Sequence, residues 1–310
     1  MKNKVSVIIL NWNGSKDTLE CLDSLFKSDF LDYEVVLVDN ASSDKSVEEF
    51  EKIKNKRVRL IFNEKNLGFA LGFNKAVKSI LNKESKYVMI LNSDVIVDKF
   101  FLGRLVGLMD KNDDVAIASP VVYDYYNKKE LSKMDFPGRF NLKNGGGEPW
   151  FKDADEIRKI KNSFKVDYGC GSCWIIRKKI VKDVGFFNEK FFAYAEEIDM
   201  AMRLKKSGYN FYINPNSKIW HKVGSASGKI LGFRLYYSIR NMIWIERIHA
   251  TRKEFLFFVL NFCFKKFPKN VYNILTQKNK LVNLFKFTKA IIDGFFKKKE
   301  KFCSSKFYMI

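Results

Sequence analysis

Short runs of consecutive apolar residues alternate with amphipathic stretches over the first hundred residues. The runs are Val5–Leu10, Tyr33–Val38, Val58–Phe62 and Tyr87–Leu91. Uninterrupted runs of this length are typical of strands buried on both faces of a parallel sheet. Between them, apolar residues recur at helical spacing, as at Leu19, Leu22, Leu25 and Phe26. The alternation predicts an α/β fold with a mostly parallel central sheet flanked by helices.

Small polar side chains stand where three of these predicted strands end. They are Asn11, Asp39 and Asp94, the last of which follows Asn92 and Ser93. Ligands of open α/β sheets bind outside the carboxyl ends of the strands, so we expect these residues to line one crevice. A carboxylate there can hold a divalent cation, and the cation can hold a diphosphate. Each residue alone is also explained as an ordinary turn residue, whereas the three together favour a binding site.

A turn with two glycines enters the third predicted helix. It spans residues 63–74 and includes Asn66, Gly68 and Asn74. Glycines at the start of a helix allow a phosphate or a sugar to approach the backbone closely. The spacing fits neither the dinucleotide fingerprint nor the P-loop, so a glycine-permitted turn explains it equally well.

Carboxylates crowd the first turn of a later predicted helix, which runs from Glu196 to a glycine at 208. They are Glu196, Glu197 and Asp199. Acidic residues at this position complement the helix dipole, and Asp199 is spaced to pair with Arg203. An aromatic approach over residues 191–194 places the acids beside apolar surface, which raises a carboxylate's pKa towards that of a general base.

The middle of the chain has a weaker pattern. A strand is predicted over Val115–Tyr123, and residues 124–165 have so little periodicity that we expect a long, mobile excursion of the kind that forms lids or binding loops. Sheet character returns over 166–177. Two short strands, Tyr209–Ile213 and Ser217–Trp220, then lead to His221. A lone histidine is more often structural than a ligand, but its place behind a strand near the acidic helix favours a role in the site.

The positive charge of the chain is concentrated at one end. The net charge is +21 over 310 residues, and residues 229–310 carry 18 Lys and Arg against 4 Asp and Glu. A nucleic-acid binder would spread its charge more evenly, so no nucleic acid is predicted as a partner. Lysines mixed with aromatic and aliphatic side chains favour helices lying in an anionic membrane interface, although a solvated helical subdomain also explains them.

Several features bear on location. The five cysteines are odd in number and scattered, which favours ordinary buried thiols in a reducing compartment over a disulfide framework. Cys170 and Cys173 have zinc-ribbon spacing without a second pair.

Lys2 and Lys4 precede only a short apolar run, unlike a signal peptide, and no stretch approaches the ~20 apolar residues of a membrane span. We expect a cytoplasmic protein that is peripheral on the inner face of the cell membrane.

The motifs, taken in order, resemble those of glycosyltransferase family 2, which has the GT-A nucleotide-diphospho-sugar transferase fold, and especially its bacterial rhamnosyltransferase-like members. Each motif is weak alone, but seven follow one another in family order over roughly residues 5–245. The matching segments are 7–14, 38–44, 66–74, 91–95, 171–173, 196–199 and 221–227.

The resemblance implies roles for the donor side of the site. Asp39 would contact the nucleobase with Asn11 near it, and the glycine turn would shape the donor pocket through Asn66, Gly68 and Asn74. Residues 92–94 take the place of the family's Asp-x-Asp motif. Because the first acid is here Asn92, Asp94 would carry Mg²⁺ or Mn²⁺, with His221 as a second ligand.

The resemblance also implies the catalytic roles. Glu197 matches the catalytic base, although many relatives have Asp there, and Glu196 and Asp199 would be supporting acids. The Glu-Glu pair leaves open which of the two takes the proton. A catalytic domain over 1–228 would comprise a nucleotide-sugar-binding half (1–98) and an acceptor and catalytic half (115–228), followed by a basic helical region over 229–310.

The implied function is an inverting transfer of a sugar from a UDP-, dTDP- or GDP-sugar to a hydroxyl of a glycan or lipid-linked acceptor, in cell-surface polysaccharide assembly. A sugar-phosphate nucleotidyltransferase is an alternative, but its glycine-rich N-terminal signature with a lysine is absent. A dehydrogenase would need the dinucleotide fingerprint. A non-catalytic membrane or nucleic-acid binding module would explain the basic end of the chain but not the ordered carboxylates.

Overall fold

The computed structural model of the protein describes residues 4–128, 130–132, 135–169, 171–223 and 231–297. The strands in these ranges are Val5–Asn11 (β1), Tyr33–Asp39 (β2), Val58–Phe62 (β3), Tyr87–Asn92 (β4), Val95–Val97 (β5), Val115–Asp124 (β6), Gly138–Asn141 (β7), Gly146–Pro149 (β8), Phe164–Val166 (β9), Cys173–Arg177 (β10) and Asn210–His221 (β11). The helices are Ser15–Phe26 (α1), Ser46–Glu51 (α2), Gly68–Lys78 (α3), Phe101–Lys111 (α4), Ala154–Arg158 (α5), Lys178–Val184 (α6), Glu196–Lys206 (α7), Phe233–His249 (α8), Arg252–Asn261 (α9), Phe267–Leu275 (α10) and Lys280–Phe296 (α11).

The main sheet has the strand order β3-β2-β1-β4-β10-β6-β11-β5, with β9 paired to β11. The first four strands in the chain are parallel to their neighbours, as the continuous apolar runs predict. Beyond β4 the sheet is mixed, because β10 runs antiparallel between β4 and β6. The predicted α/β fold with a central sheet between helices is confirmed, and its parallel character is strongest in the N-terminal half.

Apolar side chains cover both faces of the sheet. One face carries Ile8, Val36 and Ile90 under helices α3 and α6. The other carries Val7, Leu37 and Met89 under α1, α2 and α4. Successive strand residues point to opposite faces, so a strand covered on both sides favours apolar residues throughout its interior. Polar side chains therefore lie mainly at the strand ends, and Ser6 inside β1 is a buried exception that donates to Glu34.

The prediction of an irregular excursion over residues 124–165 is wrong for much of that segment. It contains the β7–β8 hairpin, helix α5 and the start of β9, which joins the main sheet through β11. The hairpin is tied to the body of the protein because the Gly138 amide donates to the Tyr168 carbonyl at 2.9 Å. The two predicted strands over 209–220 are one strand, β11, with an irregularity between Asn214 and Lys218.

Helices α8–α11 form a second, smaller core around Ile243, Phe258, Phe262 and Phe287. Helix α8 also packs against the segment that leads into α7, where Trp244 and Ile245 cluster with Phe191. The domain boundary at residue 228 therefore stays a prediction. In the described ranges, no helix combines the length and the apolar character needed to cross a bilayer.

The cysteines in the described ranges are free thiols. Cys21 and Cys173 are buried, as predicted, whereas Cys263 is exposed. Burial raises the pKa of both buried thiols far above the usual range. Cys170 and Cys303 lie outside the described residues.

Candidate active site

The ends of β1 and β2 are joined by a pair of buried polar side chains. Asn11 and Asp39 are register partners, and the Asn11 Nδ2 donates to Asp39 Oδ1 at 2.8 Å. Thr18 donates its hydroxyl to Asn11 Oδ1 at 2.8 Å, and the backbone amide of Ser42 donates to Asp39 Oδ2 at 2.9 Å. These bonds fix the Asp39 carboxylate at the strand end where the sequence analysis expects a nucleobase.

Asn40, which the sequence analysis did not single out, organises the donor-side turn. Its Oδ1 accepts from the Asn63 side chain and from the Leu67 backbone amide, both at 3.1 Å. Its Nδ2 donates to Asn66 Oδ1 at 3.0 Å and to the Gly68 carbonyl at 3.1 Å. Asn66 also accepts from the Gly68 amide at 2.8 Å. In the sequence, only the position of Asn40 directly after Asp39 indicated that Asn40 could belong to the site.

Gly68 allows this turn to touch the approach to helix α7. Its φ is +75°, and a Cβ at this position would lie 2.6 Å from the Phe192 carbonyl oxygen. That carbonyl accepts a hydrogen bond from the Phe69 amide at 2.6 Å. The glycine is therefore required by close contact as well as by backbone conformation.

Asn74 supports the same contact from inside the protein. Its Nδ2 donates to the Phe187 carbonyl at 2.8 Å, and its Oδ1 accepts from the Phe187 amide at 3.1 Å. The side chain is completely buried. Asn74 can therefore shape the donor pocket only through the backbone that it holds.

Asp94 and His221 meet at the carboxyl end of the sheet. The backbone amide of Lys222 donates to the Asp94 carbonyl at 2.9 Å, which aligns the two segments. The His221 Nε2 lies 3.2 Å from Asp94 Oδ1, as the predicted metal pair requires. On its other side, His221 Nδ1 lies 2.9 Å from Asp135 Oδ2. Although burial opposes it, the two carboxylates raise the pKa of His221 to about 10.

Asp135 was missed because it lies in the segment that the sequence analysis expected to be irregular. A carboxylate that accepts from one nitrogen of a histidine leaves the other nitrogen to face a metal, as in many carboxylate–histidine–metal sites. Nothing in the local sequence distinguishes Asp135 from the other acids of residues 124–165. Only the fold places it against His221, 86 residues away.

The Asp94–His221 pair fits two adjacent positions around a hard divalent cation. Ligands at about 2.1 Å from Mg²⁺ in octahedral geometry are about 3 Å apart, close to the 3.2 Å between Asp94 Oδ1 and His221 Nε2. No cluster of three or more His, Cys, Asp or Glu with metal-binding geometry occurs in the part of the chain that the structure describes. A cation held here would therefore need ligands from a diphosphate or from water, which is usual for Mg²⁺.

The two glutamates that begin α7 have different surroundings. Glu196 is 5% exposed, and its Oε2 has no hydrogen-bond partner among the described residues. Burial, followed by the negative charge of Glu197, raises the pKa of Glu196 well above its usual value. Glu197 is half-buried beside Gly171, and a Cβ on that glycine would lie 3.8 Å from the Glu197 side chain. Burial also raises the pKa of Glu197, and the charge of Asp135 adds to the rise.

Asp199 is held inside the protein by two basic side chains. Arg203 Nε donates to Asp199 Oδ2 at 2.9 Å, and His249 Nε2 lies 2.8 Å from Asp199 Oδ1. Burial opposes ionisation, but the charge of Arg203 and the bond to His249 lower the pKa of Asp199. The predicted Asp199–Arg203 pair exists, but it is buried, and His249 from α8 also contacts Asp199. The structure places Asp199 as a support for α7 and His249 as a partner that the sequence analysis missed.

The backbone that leads into α7 has an unusual conformation. Phe192, Tyr194 and Ala195 have φ values of 47°, 66° and 68°, in the left-handed region that non-glycine residues rarely adopt. Such conformations persist only where surrounding contacts determine them. Asn241 on α8 provides these contacts, because its Nδ2 lies within hydrogen-bond distance of the carbonyls of Phe191, Ala193 and Tyr194.

Arg240 supports the same turn from the neighbouring position. Its Nε donates to Asn241 Oδ1 at 2.8 Å, which orients the amide group. Its guanidinium also donates to the Lys190 carbonyl at 3.1 Å and lies over the ring of Tyr237 at 4.7 Å. Phe192 stacks on Tyr237 with ring centroids 5.2 Å apart. Helix α8 is thus part of the candidate active site.

The predicted site residues lie on neighbouring segments. Asn11 bonds to Asp39, and Leu10 beside it is the register partner of Asn92. Asp94 contacts His221, and Glu197 packs beside Gly171, next to Ser172, whose carbonyl accepts from the Asn92 amide at 2.9 Å. The predicted residues therefore gather along the carboxyl ends of the strands, with Asn74 and Asp199 behind them.

Two family models match the chain. The model described as Glycosyl transferase family 2 matches residues 6–185, and the model described as Glycosyl transferase family group 2 matches residues 159–280. Together they cover the predicted donor side, the acids of α7 and much of the C-terminal helices.

Relatives are similar over most of their length. The dTDP-rhamnosyl transferase RfbF of Shigella flexneri is 24% identical over 95% of this chain and 96% of its own length. The N-acetylglucosaminyl-diphospho-decaprenol L-rhamnosyltransferase of Mycobacterium tuberculosis is 22% identical over 63% of this chain and 68% of its own.

Solved structures share the fold at low identity. The mannosyltransferase PcManGT from Pyrobaculum calidifontis, in complex with GDP-Man and Mn²⁺, is 14% identical with a TM-score of 0.59, covering 96% of this chain and 89% of its own. S. aureus TarS 1-349 in complex with UDP-GlcNAc is 20% identical with a TM-score of 0.58, covering 94% and 80%. These neighbours confirm the predicted nucleotide-diphospho-sugar transferase fold.

Proposed function

Because the chain belongs to glycosyl transferase family 2, we propose that it moves a sugar from a nucleoside-diphosphate donor to a hydroxyl of a glycan or lipid-linked acceptor, with inversion at the anomeric carbon. The resemblance to rhamnosyltransferase-like members is confirmed by the relatives, and the protein is a glycosyltransferase. One relative is, by its name, a rhamnosyltransferase for N-acetylglucosaminyl-diphospho-decaprenol, and this supports a place in cell-surface polysaccharide assembly for this chain.

One observation carries the proposal: the Asp94–His221 pair and Glu197 both lie close to the end of β4. Asp94 follows that strand directly, and Glu197 packs beside Gly171, whose neighbour Ser172 accepts a hydrogen bond from the Asn92 amide. A cation site and a carboxylate with a raised pKa are the two functions that a transfer from a diphosphate donor needs. A non-catalytic binding module would need neither of them.

Glu197 is the better base of the two glutamates. Glu197 is half-buried and therefore more open to an acceptor than Glu196, which is 5% exposed. Glu197 takes the hydroxyl proton while that oxygen forms a bond to the anomeric carbon, and the bond from that carbon to the diphosphate breaks on the opposite face. General base catalysis of this kind contributes about 10²–10⁴-fold. Burial, followed by the negative charge of Glu197, raises the pKa of Glu196, which favours the neutral form of Glu196 beside the base.

Asp94 and His221 would hold Mg²⁺ or Mn²⁺. When bound, the cation supplies Lewis-acid stabilisation of the charge that develops on the leaving diphosphate. Asp135 orients the His221 ring, and Asn92 precedes Asp94 on the same strand end. On the donor side, Asp39 and Asn11 lie where the nucleobase of the donor would bind, and Asn66 and Gly68 shape the turn beside that position.

The donor is a UDP-, dTDP- or GDP-sugar, and the full-length similarity to a dTDP-rhamnosyl transferase makes dTDP-rhamnose the first to test. We place the protein in the cytoplasm, peripheral on the inner face of the cell membrane, where a lipid-linked acceptor would be found. Nucleic acid is not a proposed partner.

Calorimetry with UDP-, dTDP- and GDP-sugars, each with and without Mn²⁺, tests the proposal. We expect one nucleotide class to bind, with binding that depends on Mn²⁺ and is lost in Asp94→Ala. Mass spectrometry of the same mixtures should show release of the nucleoside diphosphate. Failure of all three classes to bind with Mn²⁺ present would contradict the proposed function.

A further inference from the structure

The C-terminal helices have apolar side chains on two sides. Helix α9, the π-helical turn Phe262–Lys266 and helix α10 follow one another without a break, and their inner side packs on the small core through Phe258, Phe262 and Ile274. Their outer side is apolar as well. Side chains there are 44–76% exposed, and they are Leu256, Phe257, Leu260, Phe264, Phe267, Tyr272 and Leu275.

Helix α11 repeats this arrangement. Phe287 and Ala290 face the small core. Another set recurs near helical spacing on the outside, is 44–80% exposed, and consists of Leu281, Val282, Phe285, Ile292 and Phe296. A helix with a single apolar stripe needs one partner, whereas a helix that is apolar on both sides needs a second apolar environment.

These two outer faces hold most of the large apolar side chains that are exposed in the described ranges. Twelve of the eighteen belong to residues 256–296. A concentration of exposed apolar side chains of this kind marks a protein or membrane interaction site. The predicted catalytic domain over 1–228 carries only scattered examples, such as Leu31 and Tyr126.

The charge around these faces distinguishes between two candidates for what covers them, a second copy of the protein and a lipid bilayer. Exposed lysines border the apolar faces, and they include Lys253, Lys265, Lys269, Lys278, Lys280 and Lys289. Asp293 is buried against Tyr236 and two lysines, and Glu254 is used in the N-terminal cap of α9. A second copy of this surface would bring two strongly positive faces together. An anionic bilayer offers both the apolar environment and the opposite charge.

We propose that the outer faces of α9–α10 and α11 form a docking surface for an anionic lipid bilayer. No described helix is suited to crossing the membrane, so the helices lie in its interface with their apolar side chains among the acyl chains and their lysines at the headgroups. At 1.5 Å per residue, the 17 residues of α11 extend about 26 Å along the surface.

Helix α8 connects this surface to the active site. Its Ile243 belongs to the small core under the docking helices, and its Asn241 holds the turn before the catalytic acids. The Gly294 position on α11 is so close to Ile243 that a Cβ there would lie 2.8 Å from its Cδ1. Docking therefore fixes the distance of the active site from the membrane. This consequence rests on the proposed function, and it favours a lipid-linked acceptor.

Co-sedimentation of the full-length protein with vesicles tests the docking surface. Vesicles of phosphatidylcholine alone are compared with vesicles that contain phosphatidylglycerol. We expect at least about tenfold tighter binding to the anionic vesicles, with a steep loss at high salt. The variant Phe264→Ser/Phe285→Ser and the variant Lys265→Gln/Lys269→Gln/Lys289→Gln should each lose about tenfold or more.

A matched variant, Leu31→Ser/Tyr126→Ser, removes two exposed apolar side chains from the predicted catalytic domain over 1–228 and should bind vesicles as the unchanged protein does. Binding of a nucleotide sugar should be the same in all variants, which separates docking from the proposed function. Equal sedimentation with both kinds of vesicle, or binding that survives in both surface variants, would overturn the proposal. A stable dimer that buries Phe264 and Phe285 and does not bind vesicles would identify a second copy as the occupant.

Discussion

The side-chain amide of Asn241 donates to the backbone carbonyl of Tyr194 at 2.6 Å. The two residues come from different parts of the chain, one from the C-terminal helices and one from the turn that leads into the acids of α7. Tyr194 and its neighbour Ala195 are both in the left-handed region. The conformation of the turn before α7 therefore depends on a helix that the sequence analysis assigned to a separate basic region.

Replacing Asn241 should disturb catalysis more than donor binding. In Asn241→Leu, the carbonyls of Ala193 and Tyr194 lose the side-chain amide that donates to them, and the strained turn can relax away from its present position. A misplacement of about 1 Å in a catalytic group can cost about 10²-fold in rate. We expect kcat to fall by about that factor while KM for the nucleotide sugar changes less than about threefold.

Asn283→Leu is the matched control for this variant. Asn283 is also a buried asparagine of the C-terminal helices, but it bonds to Gln277 and not to the catalytic turn. The Asn283→Leu variant should be less stable than the unchanged protein and have nearly the same kcat. Equal losses of kcat in the two variants would show that Asn241 acts only through folding.

Asp135 should affect metal binding although the sequence pattern did not identify it. In Asp135→Asn the carboxylate that faces His221 Nδ1 loses its charge, so the ring is less firmly oriented towards Asp94. Loss of such a partner typically costs 10–100-fold in metal affinity. Calorimetric titration of Mn²⁺ with the nucleoside diphosphate present measures this directly. Asp110→Asn, which removes a carboxylate paired to Lys4 and Lys86 away from the site, should leave Mn²⁺ affinity unchanged.

Gly68→Ala should destabilise the contact between the donor-side turn and the approach to α7. The added methyl group would lie 2.6 Å from the Phe192 carbonyl oxygen, at a φ of +75°. We expect a loss of at least about 1–3 kcal/mol in the free energy of unfolding, together with weaker donor binding. Gly107 in α4 has no atom within 4 Å of a Cβ, so Gly107→Ala should be neutral or stabilising by about 0.5–1 kcal/mol. Similar melting temperatures for the two variants would contradict this account.

Glu246 gives a prediction for the pH dependence of stability. It is completely buried in α8, and neither carboxylate oxygen receives a hydrogen bond of good geometry from the described residues. Burial raises its pKa to about 8, although the nearby backbone amides of Gly145 and Gly146 partly oppose the rise. Between the pKa of an ordinary glutamate and about 8, the folded protein keeps a proton that the unfolded chain has lost. The stability contributed by this group therefore falls as the pH rises through that window.

Glu246→Gln removes this dependence. The variant should match the unchanged protein near pH 4.5 and become more stable by up to roughly 4 kcal/mol by pH 8, at 1.36 kcal/mol per pKa unit. Glu254→Gln should instead become less stable than the unchanged protein as the pH rises above 4.5. Bonds from Thr251 lower the pKa of Glu254, so the ionised carboxylate stabilises the folded protein in that range. Melting temperatures over this pH range measure both. A constant difference between Glu246→Gln and the unchanged protein would contradict the assignment.

Patterns within one element were sufficient to predict much of this protein. Continuous apolar runs identified β1 to β4, and polar residues at their ends identified Asn11, Asp39 and Asp94. The acids at the start of α7 and the histidine after a strand were found in the same way. Each of these signals lies within a few residues of its own strand or helix.

The residues that were missed act through long-range contacts. Asp135 meets His221 from 86 residues away, and Asn241 reaches Tyr194 from 47 residues away. His249 joins Asp199 across 50 residues. None of these pairs leaves a periodic pattern in the sequence, because the partners belong to different elements that only the complete fold brings together. Residues 124–165 appeared irregular for the same reason, because elements there, such as β9, pair with distant parts of the chain.

The central claim is that Glu197 takes the proton from an acceptor hydroxyl during sugar transfer. The most direct test compares the unchanged protein with Glu197→Gln, using the nucleotide sugar that binds, Mn²⁺ and the extracted lipid-linked acceptor, with the glycosylated product measured by mass spectrometry. We expect Glu197→Gln to bind the donor with unchanged affinity and to lose at least about 10²-fold in transfer rate, the share that general base catalysis supplies. Transfer by Glu197→Gln at the rate of the unchanged protein would contradict the account.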